Sequence, residues 1–269
     1  MRLILERYNR HMADPSKLKE DAAGIQDYYH QILPFYDLEL EGRGDEELWA
    51  WAASAPPGCR VLELGSGTGR ATAALARTAG RVVALELSPE MIAVARRRLA
   101  GLSNVWFVAA DMREAELRPR FDLVIAVDDP FVHLIKDEDR ERAVATAARH
   151  LLPGGRFLLD AAWFSPDQRH AAGGPEGLVK GNSGRDGLVV RETWHCDPTT
   201  RLCTARYEYS VRGRKVQDAS FPARLWSQEE LEHRARAAGL RVTQLWGDYD
   251  RRPWDRATSP RLIAELRRG

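Results

Sequence analysis

The stretch Val61-Leu62-Glu63-Leu64-Gly65-Ser66-Gly67-Thr68-Gly69-Arg70 leads from a short apolar run through a glycine turn into a helix-like segment. A strand that hands over to a helix in this way opens a βαβ unit. Glycine tolerates positive φ and lets a ligand approach the backbone, and the helix N-terminus beyond it offers free N–H groups and a partial positive charge. The turn therefore reads as a nucleotide-binding loop, with an ordinary tight βα turn as the plain alternative. The dinucleotide fingerprint G-x-G-x-x-G/A would need a small residue at position 70 if Gly65 and Gly67 fill its first two places. Position 70 is Arg, which argues against it.

Working outward, apolar runs at 60–64, 81–86, 105–110, 121–127 and 156–160 alternate with helical patterns at 71–79, 88–99 and 137–152, which predicts a mostly parallel α/β sheet. Gly80 is expected to end the first of these helices, Asp137 to cap the third, and Pro153-Gly154-Gly155 to form a tight turn into the fifth strand. The pattern then changes. Segments 188–195, 201–211 and 215–223 alternate with period two and predict an inserted antiparallel sheet of three strands. Residues 171–187, rich in glycine, read as the loosest part of the chain. Ser227-Gln228-Glu229-Glu230 is a capping box that opens a further helix, and 240–247 with 261–266 supply two last strands. This predicts three parts: an N-terminal helical lid over 1–55, a core domain from 56–165 and 226–269, and the insertion at 166–225.

Composition narrows the function. With 40 basic and 39 acidic residues in 269, the net charge is +1, without the basic field of a dedicated nucleic-acid binder. A small-molecule partner is expected, with no nucleic acid and no membrane, in a monomer or homodimer. No run of about 18 apolar residues occurs and the first residues are charged too early for a signal peptide. Cys59, Cys196 and Cys203 are odd in number and lack paired CxxC spacing, which predicts reduced thiols in a cytoplasmic protein, with no disulfide and no bound metal.

The E-x-G-x-G-x-G pattern of Glu63 to Gly69 resembles motif I of the class I S-adenosylmethionine-dependent methyltransferases. The resemblance implies a Rossmann-like seven-strand sheet of order 3-2-1-4-5-7-6 and S-adenosylmethionine as cofactor. Glu86 ends the second strand about 20 residues after the glycines, the spacing at which an acid accepts both ribose hydroxyls. By the resemblance, Asp111 and Met112 meet the adenine, with Leu87 and Met91 beside its face. The expected cofactor set is Gly65, Ser66, Gly67, Gly69, Glu86, Leu87, Met91, Asp111, Met112 and Val127.

In the loop after the fourth strand, His133 is the best base candidate, because histidine titrates near neutrality; a hydrogen-bonded structural histidine is the alternative. Asp27-Tyr28, Tyr36-Asp37, Gly42-Arg43-Gly44, Glu86-Leu87-Ser88, Asp111-Met112-Arg113, His133-Leu134 and Trp163-Phe164-Ser165-Pro166 together resemble the amino-sugar N,N-dimethyltransferases of antibiotic biosynthesis. That resemblance implies catalytic roles for Tyr28 and His133 beside an acceptor amine, with the inserted sheet covering the pocket. Asp128-Asp129-Pro130 departs from that family's loop, which is rich in Ser, Phe and Met. The expected reaction is methyl transfer to a small molecule, first an amine. O-methylation, a non-catalytic cofactor-binding module and a nicotinamide oxidoreductase are the competing readings.

Overall fold

A computed structural model describes residues 20–40, 55–118 and 120–269. Much of the expected lid over 1–55, including Gly42-Arg43-Gly44, lies outside the described residues. Helix α1 (Glu20–Leu40) precedes an alternation of β1 (Arg60–Leu64), α2 (Arg70–Leu75), β2 (Arg81–Glu86), α3 (Pro89–Arg98), β3 (Val105–Ala109), β4 (Phe121–Ala126), α4 (Asp137–His150) and β5 (Leu151–Ala161). An excursion follows: α5 (Pro166–Gly173), β6 (Leu178–Ser183), β7 (Leu188–Cys196), β8 (Leu202–Val211) and β9 (Arg214–Arg224). The chain returns through α6 (Gln228–Ala237), β10 (Leu240–Trp246) and β11 (Leu262–Arg268).

Seven strands form one sheet in the order β10-β11-β5-β4-β1-β2-β3, parallel except where β11 pairs antiparallel with β5 and β10. With β10 and β11 counted as sixth and seventh, this is 3-2-1-4-5-7-6. The central strands are apolar on both faces because helices cover both, and Val61, Leu62, Leu64, Val124 and Ile125 are fully buried. Each such side chain contributes roughly 1.5–3 kcal/mol on leaving water. Helix α3 starts where Ser88 accepts the Met91 N–H and Pro89 takes the first position, and Glu90 in the first turn with Arg96, Arg97 and Arg98 in the last are favourable at the two ends of the helix dipole.

Several local expectations are corrected. Helix α2 stops at Leu75, because the chain then tightens into i→i+3 bonds from Arg77 and Thr78. Gly80 is needed for backbone approach rather than as a left-handed cap: a Cβ there would lie 2.6 Å from the Gly58 carbonyl oxygen. Pro153-Gly154-Gly155 bulges within β5, between the pairs Phe121 with Leu151 and Leu123 with Arg156. Asp137 is the first residue of α4, after the N-cap Lys136, and its carboxylate receives Arg224 and Arg234. The Ser227 box is half formed: Ser227 accepts the Glu230 N–H, while the Glu230 carboxylate binds Arg140, Arg201, Arg224 and Arg234.

The second sheet has four antiparallel strands, β6-β7-β8-β9. Its extra strand, β6, lies in the segment expected to be loosest; an edge strand has one partner, so Gly181 costs it little, and it pairs with β7 from Leu178 with Trp194 to Ser183 with Val189. The expectation of three reduced thiols is also corrected. The β7–β8 register sets Cys196 opposite Cys203, their Cα atoms 4.0 Å apart, and the two are disulfide-bonded; Cys59 is free. No described helix is long and apolar enough to cross a membrane.

Candidate active site

The carboxyl ends of β1, β2, β3 and β4 meet at the place where open α/β sheets bind ligands. After β1, Gly65, Gly67 and Gly69 have φ of +75°, +52° and +80°. A Cβ on Gly65 would lie 2.5 Å from Pro130 Cβ, so the turn after β1 and the loop after β4 touch without room for a side chain. At the end of β2, Glu86 Oε2 accepts the Gly67 N–H at 2.9 Å, and Oε1 accepts those of Leu87 at 2.8 Å and Ser88 at 2.9 Å. Burial pushes the Glu86 carboxyl up, and these backbone donors pull against it.

A cleft of about 730 Å³ opens there. Its walls include Gly65, Gly67, Glu86, Leu87, Met91, Asp111, Met112, Val127 and His133 from the sequence reading, with Tyr29 and Tyr36 from α1. An adjoining cleft brings Glu63, Ser66, Thr68 and Arg70 beside the shared Tyr36, Gly65, Val127 and Asp128. Ser66 Oγ is buried there with no hydrogen-bond partner among the described residues. Glu63 accepts Thr72 Oγ1 at 2.6 Å and burial pushes it up to about 8. Gly69 caps α2 away from the walls. The Asp111 carboxylate is forked by Arg113, with Nε at 2.9 Å and Nη2 at 2.6 Å on Oδ2, and Arg113 reaches on to Asp139.

Past β4, Asp128 and Asp129 both take positive φ, 56° and 58°. Two adjacent non-glycine residues in that region store strain of order 1–3 kcal/mol each. The Asp128 N–H donates to Asp160 Oδ2 at 3.1 Å, and Asp160 also binds Arg261 and the hydroxyl of the buried Tyr249. A 3₁₀ turn over Pro130–His133 then swings His133 toward α1. Tyr29 Oη lies 2.9 Å from His133 Nε2. Burial lowers His133 to about 4 and raises Tyr29 well above the usual phenol value, so near pH 7 the phenol donates and the neutral imidazole accepts. Nδ1 of that tautomer carries the proton and is buried without a partner among the described residues. The imidazole packs against Phe221 of β9, with centroids 4.6 Å apart.

Tyr28 does not line the cleft, although its ring centroid stands 6.1 Å from that of His133. It is 6% exposed, within the core shared by α1 and the second sheet, its ring 4.5 Å from Phe221. Neighbours on a helix point about 100° apart, so Tyr28 faces the second sheet and Tyr29 the cleft. Sequence reasoning gave the acceptor-side role to Tyr28 because the Tyr28-Tyr29 pair shows no sign of which ring turns inward. The Arg113 fork was visible only as an arginine near an acid.

Comparisons with known proteins agree with this geometry. A family described as Methyltransferase domain matches residues 61–155. The cypemycin N-terminal methyltransferase of a Streptomyces species is 31% identical over 261 residues, 96% of this chain and all of that one. A dTDP-3-amino-3,6-dideoxy-alpha-D-glucopyranose N,N-dimethyltransferase of Streptomyces fradiae is 29% identical over 82% of this chain and 88% of its own length. Among solved structures, the CcbJ methyltransferase of Streptomyces caelestis superposes with a TM-score of 0.77 at 25% identity, over 90% of this chain and 98% of that one.

Proposed function

The chain belongs to the S-adenosylmethionine-dependent methyltransferases, and on that premise we propose that it methylates an amine nitrogen on a small molecule or a peptide terminus. The single observation that carries the acceptor side is the neutral Tyr29–His133 pair on the wall of the same cleft as Glu86. Relatives that act on an amino sugar and on a peptide N-terminus favour an amine.

The residues fit the donor. Glu86 would take the ribose hydroxyls, Leu87, Met91, Asp111 and Met112 would border the adenine, and the glycine turn, Ser66 and Glu63 would hold the methionine end. The cradle that a Cβ on Gly65 would fill and the unpartnered Ser66 Oγ support this. When bound, the donor supplies a methyl group on a positively charged sulfur. The chain then has to hold the acceptor nitrogen in line and keep its lone pair free, and positioning of this kind accounts for up to ~7–11 kcal/mol of barrier. Tyr29 donates to His133 and keeps oxygen lone pairs for an acceptor N–H, which turns the nitrogen lone pair away from the phenol. Neutral His133 holds that orientation, and its Nε2 takes the phenol proton when the Tyr29 oxygen accepts the one that a methylated ammonium releases. On this reading α1 serves as the lid, 56–165 with 226–269 hold the donor, and the sheet within 166–225 covers the acceptor, in the cytoplasm.

The test is transfer of a labelled methyl group from S-adenosylmethionine to amino sugars, peptides with free N-termini and phenols, with product mass measured. Label on amines supports the reading. Label on phenols alone overturns it, and S-adenosylhomocysteine binding without transfer favours a non-catalytic module.

A further inference from the structure

Of the Tyr36-Asp37 pair, Tyr36 lines the cleft and Asp37 does not. Asp37 lies in the last turn of α1 and joins three elements. Its Oδ1 accepts Thr68 Oγ1 at 2.7 Å, and its Oδ2 accepts Arg98 Nη2 at 2.7 Å. Arg98 Nη1 in turn donates to the carbonyl and the hydroxyl oxygen of Thr68, both at 2.9 Å. Thr68 is 2% exposed and belongs to the glycine turn itself. Asp37 is thereby fastened to the turn that would hold the donor and to the end of α3.

The rest of α1 is attached to the main sheet in the same polar manner. Gln26 Nε2 donates to the Leu87 carbonyl at 2.9 Å and Arg70 Nη2 to the Leu40 carbonyl at 3.0 Å. Its apolar side is committed elsewhere. Tyr28 and Ile32 belong to the core of the second sheet, with Tyr29, Phe35, Tyr36 and Leu38 packed on it, and no residue of α1 belongs to the two cores of the main sheet. Helix α1 and the second sheet thus share one apolar core, which Val132 and Phe164 of the main fold join, while α1 itself meets the glycine turn and α3 through hydrogen bonds and an ion pair. Polar contacts of this kind open at far lower cost than a packed core.

We propose that Asp37 is a positioning residue that clamps α1 to the glycine turn through Thr68 and Arg98, and that opening this clamp governs exchange of the donor and its product. The inference rests on the donor site proposed above. A residue that clamps without touching ligand slows arrival and departure together, whereas a ligand-binding residue slows departure alone.

The experiment is stopped-flow binding of S-adenosylhomocysteine to the full chain, with calorimetry on wild type first. No binding to wild type defeats the donor site itself. Given binding, Asp37→Asn should raise the association and dissociation rate constants together by about tenfold, the scale of one charge-assisted hydrogen bond, and change the affinity by less than about threefold. Arg98→Met should reproduce both changes, and Asp37→Glu should restore most of the wild-type rates. Faster dissociation with unchanged association makes Asp37 a direct ligand and overturns the clamp. Unchanged rates in both variants, with wild-type melting temperatures, overturn it as well.

Discussion

The phenol of Tyr29 donates across 2.9 Å to His133 Nε2, and burial holds both partners uncharged near neutral pH. Neither group then acts as a fixed counter-charge for an ammonium, so their service is orientation and proton acceptance. Tyr29→Phe and His133→Ala should each lower turnover by about 10–100-fold, within the range of general acid–base effects, and leave S-adenosylhomocysteine affinity within about threefold. Combined, they should cost little more than one alone, because they act as a unit. Tyr28→Phe should leave turnover nearly intact. A larger loss from Tyr28→Phe than from Tyr29→Phe would refute this assignment.

Glu86 gathers the Gly67, Leu87 and Ser88 N–H groups at the expected ribose position. Glu86→Ala removes the acceptor for two ribose hydroxyls and leaves three donors without their carboxylate. Affinity for S-adenosylhomocysteine, read by calorimetry, should fall about 100-fold, equal to roughly 3 kcal/mol of lost charge-assisted bonding. Turnover at saturating donor should change far less.

Gly65 combines φ +75° with a Cβ position 2.5 Å from Pro130 Cβ. Gly65→Ala should destabilise by about 1–3 kcal/mol, lower the melting temperature by several degrees and abolish S-adenosylhomocysteine binding. A variant that keeps both melting temperature and binding would show that the two loops move apart freely.

Glu63 is raised from 4.5 to about 8 in the folded protein. The folded state therefore binds more protons than the unfolded state between those values, and stability falls as pH rises through that window, by an amount on the order of a few kcal/mol. Glu63→Gln should remove this part of the slope. The difference in melting temperature between the variant and the donor-free wild type should therefore grow in the variant's favour from pH 5 to pH 8. For His133, lowered from 6.5 to about 4, the slope has the opposite sign: its contribution is complete above pH 6.5 and is lost as pH falls toward 4. A pH-independent difference between Glu63→Gln and wild type would place the Glu63 carboxyl in contact with water.

The Cys196–Cys203 bond closes a short hairpin loop with a sequence separation of 7. In the chain-entropy account such a closure contributes roughly 2 kcal/mol. Unfolded protein without reductant should titrate one thiol, Cys59, and three after reduction, with a fall of a few degrees in melting temperature. Three thiols before reduction would remove the bond.

The central fold was legible because its signals are local. The glycine turn, Glu86, the Ser88-Pro89 helix start and the doubly buried runs at 60–64 and 121–126 each occupy a few consecutive residues whose spacing reports the periodicity of the element. Several errors fall where the deciding partner is a neighbouring strand or a remote side chain rather than the adjacent residues. Residues 178–183 look like a loop until β7 lies beside them, and Cys196 and Cys203 look unrelated until hairpin register sets them opposite. Glu230 looks like half of a capping box until Arg140, Arg201 and Arg224 arrive from α4, the β7–β8 turn and β9.

The sequence by itself determined the alternation of strands and helices, the glycine turn and the acid that faces it, because these follow from neighbours in the chain, while the strand order came from the family resemblance. Only the tertiary structure decided which of two adjacent tyrosines meets His133, that Arg113 forks Asp111, and that Asp37 fastens α1 to Thr68 and Arg98. The physical reason is that a side chain's direction on a helix is set by the surfaces that clasp it. For α1 those surfaces are the second sheet on one side and the glycine turn on the other, and both are built from residues far from it in sequence.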